Sequence, residues 1–111
     1  MNEAQGDFGR ESEILLGQLD RRLARLRLDR DPTQVELAER LTAALRRLVT
    51  ETLSASAADR ARVRAAVHYF ALRRGERRVA RAMTEDVRVV NDILRLLGRP
   101  DLMVNLTPEP A

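Results

Sequence analysis

Residues 29–49 read DRDPTQVELAERLTAALRRLV, and this stretch decides the architecture. Asp31 can accept a hydrogen bond from the start of a helix, and Pro32 suits the first helical position, where a missing N–H costs nothing. From there Leu37, Leu41, Ala44, Leu45, Leu48 and Val49 recur at the three- and four-residue spacing of one helical face, predicting a helix from Pro32 to about Leu53. Upstream, Leu16, Leu19, Leu23 and Leu26 recur in the same way and predict a first helix over Glu11 to Asp29, with Ile14 and Leu28 off its stripe. Only a tight turn separates the two, so their leucine seams mesh as an antiparallel hairpin.

The second half predicts another pair. Ser56-Ala-Ala-Asp59 resembles a capping box with Asp in the place of Glu or Gln, opening a third helix that buries Val63, Ala66, Val67 and Phe70 and closes at Gly75. Thr84-Glu85-Asp86 reads as an acidic helix start leading into Val87, Val90, Ile93, Leu94 and Leu97, and Gly98 with Pro100 stops that helix. The fold expected is all-α: a four-helix bundle built from an N-terminal α-hairpin and a second helix pair. Residues 1–10 have no apolar period and are expected to be disordered, 11–103 form one helical domain, and 104–111 make an extended tail.

Composition narrows the chemistry. The chain has no cysteine, which excludes disulfide frameworks, thiolate metal sites and cysteine nucleophiles and suits a cytoplasmic address. The acidic start MNEAQGDFGRESE has no apolar core of a secretory signal, and no run approaches the roughly 20 apolar residues of a membrane span. There is no nucleophile elbow, no phosphate-cradling glycine loop and no second histidine, so no enzymatic role and no cofactor is expected. His68 reads as a flank histidine, and Glu85, Asp86 and Asp92 lack the compact oxygen cage of a cation site, so no metal is expected.

Charge is uneven. All 20 basic residues are arginine, which a GC-rich coding bias explains more simply than selection. Eight of them lie within 60–81 against the single acid Glu76, giving +7, while the other 12 arginines and 16 acids sum to −4. On a helical wheel Arg62, Tyr69 and Arg73 share one flank of the third helix, Arg64 and His68 the other. With Arg77 and Arg78, the first three form the candidate binding surface, arginine and tyrosine being residue types that dominate interfaces. Arg74 falls toward the core stripe and Asp86 near the core edge of the fourth helix, so the two are expected to form a structural ion pair, the alternative being an exposed Arg74 past a frayed end of the third helix.

Residues 60–102, with RVRAAVHYFAL followed by EDVRVVNDILRLLGRPDL, resemble the small helical YkvA-like family, a bacterial domain of unknown function. Tyr69 and the Glu85-Asp86 pair match best, while RRGERRVARAMT stands where the family has a proline-and-aspartate loop. The resemblance implies a helical fold and no known reaction. The expected function is therefore non-enzymatic: interaction with a protein partner of acidic surface, or self-association. A homodimer is expected because Ile14, Leu15 and Leu28 widen the apolar surface of the first helix. The alternative is nucleic-acid or anion binding through the arginines of 60–81.

Overall fold

The computed structural model describes residues 3–28, 31–72 and 79–106, with side chains described from Gly9 in the first helix and from Met83 in the last. Helix α1 spans Glu3–Leu26, α2 Pro32–Glu51, α3 Ala57–Ala71 and α4 Val79–Leu96, and a single 3-10 turn follows at Pro100–Leu102. The described chain is thus an all-α four-helix bundle. Asp31 caps α2 as its sequence requires, Oδ1 accepting from the Thr33 N–H at 2.9 Å. The Ser56 hydroxyl caps α3 by accepting from the Asp59 N–H at 3.1 Å. Gly98, at φ 71, takes the left-handed conformation that ends a helix at little cost to glycine.

Two ion pairs fix the α1–α2 hairpin. Arg27 meets Glu39 at 3.2 Å near the turn, and Asp20 meets Arg46 at 2.6 Å further along. Residue numbers fall on one helix as they rise on the other, so the pair is antiparallel. Exposed pairs of this kind contribute only about 0–1 kcal/mol each, so they report the register and the leucines hold it. α1 also packs on α3, and α4 packs on α3 and α2.

The core follows the predicted faces closely. All six α2 residues of the stripe are buried, joined by Ala38 and Thr42, and Val63, Ala66, Val67 and Phe70 are buried on α3. On α1 the fully sheltered set is Leu15, Leu19 and Leu26, with Leu16 and Leu23 packed at the edge. Leu15 therefore belongs to the core and does not widen an outer apolar surface; its phase lies within about 40° of those of Leu19 and Leu26.

Two boundaries differ from expectation. α1 starts at Glu3 instead of Glu11, so residues 3–10 are helical. Once a packed segment has nucleated a helix, propagation adds one hydrogen bond for each residue fixed, so the helix extends without an apolar stripe and through Gly6 and Gly9. α4 starts at Val79, so Thr84, Glu85 and Asp86 lie inside the helix and are not its cap. Met83, fully buried one turn before Val87, extends the core stripe upstream and carries the helix with it. Gly75, the predicted end of α3, lies outside the described residues; α3 stops at Ala71, and the Leu72 N–H donates to the His68 carbonyl.

After Gly98 the chain turns back as a strap along α2. Leu102 and Val104 are buried, so the packed unit continues past residue 103. Asn91 on α4 holds the strap with its side-chain amide: Nδ2 donates to the Val104 carbonyl and Oδ1 accepts from the Val104 N–H, both at 3.0 Å. Arg99 holds its near end. Its Nε and Nη2 reach the two Asp101 oxygens at 3.1 and 2.9 Å, and Nη2 also donates to Glu51 at 2.6 Å, whose other oxygen accepts from Arg47. Glu51 closes α2 while Asn91 lies beside the strap one to two turns before the end of α4, so α4 runs parallel to α2.

Hydrogen bonding to Arg99 holds both the Glu51 and Asp101 carboxyls below the usual carboxylate range, with Arg47 adding to the effect on Glu51. Because their folded-state values are lowered, both contribute stability above the ordinary carboxylate range and lose it as pH falls through the folded values. Urea denaturation at successively lower pH should show the midpoint of wild type falling more steeply than that of the Glu51→Gln, Asp101→Asn double variant. Parallel acid profiles would show that the clamp contributes nothing.

Candidate functional site

α3 presents its apolar face inward and three described arginines outward, and each of those arginines has a local acceptor. Arg62, exposed, donates from Nη1 to Asp59 Oδ1 at 2.8 Å, one helical turn back. Arg64 reaches Glu11 on α1 at 3.6 Å, and Arg60 Nε approaches the Ser56 carbonyl at 3.5 Å. Tyr69 is half-buried on the same side as Arg62, as their spacing of seven residues dictates. Arg73, Arg77 and Arg78, the rest of the candidate surface, lie outside the described residues.

A second basic group was not legible from regional charge counting. On α1, Arg21 and Arg25 are exposed and Arg22 is half-buried, and none of the three forms an ion pair with another described residue. Arg22 follows Leu15 by seven residues and precedes Leu26 by four, so it rises from the core face itself, and its Nε is buried with no hydrogen-bond partner. A guanidinium in this position has its five donors fixed in a plane suited to a carboxylate or phosphate. The signal was present in the RRLAR run of residues 21–25, which has no acid at the three- or four-residue positions within it.

Asp86 lies deeper than its expected core-edge position. It is fully buried on α4, on the face shared by Met83 and Val90, so a carboxylate enters the core. Burying a charge costs several kcal/mol unless it is paired. Arg74, its expected partner, lies outside the described residues. A double-mutant cycle with Arg74→Ala and Asp86→Ala should give a coupling of roughly 0.5–3 kcal/mol in denaturant unfolding. Strict additivity would remove Arg74 as the partner.

His68 is half-buried on α3, and among the described residues no three His, Cys, Asp or Glu side chains are grouped to hold a metal ion. No described helix is long and apolar enough to cross a membrane. Comparison with known proteins finds no matching family model, and no curated protein or solved structure with significant similarity.

Proposed function

We propose that this protein is a non-enzymatic interaction module, cytoplasmic and of bacterial type, whose basic surface binds an acidic surface of a partner protein. The observation that carries the reading is the trio Arg21, Arg22 and Arg25, cations on one rigid helix with no carboxylate partner among the described residues. Arg62 and Tyr69 of α3, with Arg73, Arg77 and Arg78 later in the sequence, are proposed as further contacts with the partner. Unpaired arginines raise the local potential, speed encounter with an acidic partner and form bidentate contacts once docked. The YkvA-like resemblance of residues 60–102 implies a small helical protein with no known reaction.

The test is affinity capture from the native host with wild type and with the Arg21→Glu, Arg25→Glu, Arg62→Glu triple variant. All three side chains are exposed, so the variant should keep its thermal midpoint and lose the proteins retained by wild type. Identical captured sets would overturn the assignment. Nucleic-acid binding is the second reading, since the same guanidinium groups fit phosphates. It requires retention that is nuclease-sensitive and an affinity falling with salt by about 0.9 log unit per log salt for each phosphate contacted.

Self-association is proposed alongside, through the aliphatic side chains held out of the core. Ile14 is 52% and Leu28 82% exposed on α1 and the turn after it. Light scattering at about 100 µM, well above the dissociation constant of an ordinary dimer, should give a dimer mass that Ile14→Glu reduces to the monomer. A monomeric wild type at that concentration rules out the dimer.

A further inference from the structure

Between α2 and the strap lies an open groove of ≈300 Å³, lined by Arg40, Ala43, Ala44 and Arg47 on the helix and by Asp101, Leu102, Met103 and Val104 opposite. We propose that this groove is a docking site for a short extended peptide of a partner protein, carrying an aliphatic side chain next to a carboxylate. The site is separate from the arginines of α1 and α3 and stands whether or not those bind a partner.

Three features support it. First, the groove has small side chains on one wall and larger apolar ones on the other: Ala43 and Ala44 leave the space, and Leu102, Met103 and Val104 border it. Met103 is half-buried, and a thioether side chain adapts to irregular apolar shapes. The volume is at the low end of small-ligand sites, enough for one or two peptide residues.

Second, both walls are fixed before any ligand arrives. α2 is a regular helix packed on the rest of the bundle, and the strap is anchored on each side of the groove by the Arg99 clamp and by Asn91 on Val104. A preformed site avoids the ordering cost that weakens binding to loose surfaces.

Third, the charge left over in the groove is positive. Both oxygens of Asp101 are engaged by Arg99, and Arg47 is engaged by Glu51. Arg40 is half-buried and has no ion pair with any described residue. A guanidinium partly withdrawn from water next to an apolar channel is complementary to a carboxylate whose neighbouring side chain fills that channel. Such a peptide would lie beside the strap with its acid on Arg40 and its aliphatic group over Ala43 and Ala44.

The probe is acetyl-Leu-Glu-Leu-Glu-amide, titrated into the full isotope-labelled chain and followed by amide chemical shifts, with acetyl-Leu-Gln-Leu-Gln-amide as control. Saturable shifts should centre on Arg40, Ala43, Ala44 and Met103. The control peptide, and the acidic peptide with Arg40→Gln, should each bind at least about tenfold more weakly, the loss expected for one charge-assisted contact. Ala43→Phe, at an exposed position, fills the groove without entering the core and should abolish the shifts while leaving the thermal midpoint in place. Should that variant fail to fold, Arg40→Gln and the control peptide still decide. Absence of saturable shifts up to about 10 mM peptide, shifts centred instead on Arg22 or Arg62, or equal affinity in all variants would overturn the site.

Discussion

The structure depends on burying the broad apolar face of α2. Leu37, Ala38, Leu41, Thr42, Ala44, Leu45, Leu48 and Val49 are all withdrawn from water, and they form two adjoining stripes of the helix. A stripe that wide cannot be covered by one neighbour. α1 covers one side, α4 and the strap the other, and α3 reaches α2 across the centre of the bundle. The remaining helices are arranged around this one surface: the tight turn at Asp31 brings α1 back along it, and the link over 52–56 returns the chain as α3. Non-directional burial accounts for the association, while caps and ion pairs select the register.

Much of this was legible because helical phase is a strong constraint and apolar residues obey it. The faces of α2 and α3 follow from spacing alone, and so do the caps at Asp31 and Ser56, since a short polar side chain just before a periodic run has few other uses. What periodicity does not convey is where a helix begins when its first turns carry no stripe. α1 therefore extends upstream to Glu3, while α4 reaches back to Val79 with Met83 alone among the described apolar side chains marking the core face ahead of Val87. That extension changes the meaning of Asp86 from a residue of the helix start to a core carboxylate, because a shift of helix start by about one and a half turns moves a residue from the solvated end to the packed middle.

The candidate site was legible in kind and less so in place. Summing charge along the chain marks 60–81, yet helices bring opposite charges together at three and four residues and across neighbours, and Asp59 and Glu11 offset Arg62 and Arg64 in that way. Positive charge is left over where acids are missing at those spacings, as at Arg21 and Arg22. Finding Arg40 required tertiary structure, since its surroundings are made by a strap some sixty residues later in the chain.

Asn91 has a consequence for the behaviour of the chain in crowded solution. An extended segment on a protein surface normally presents a row of backbone donors and acceptors to any passing strand, and such edges nucleate aggregation. The Asn91 carboxamide satisfies the N–H and the C=O of Val104 together, as a neighbouring β-strand residue would, while the Val104 side chain is buried. The extended stretch is thereby closed to strand pairing at that residue by a side chain from a helix, and the all-α protein keeps an extended segment on its surface without exposing the Val104 backbone as a template.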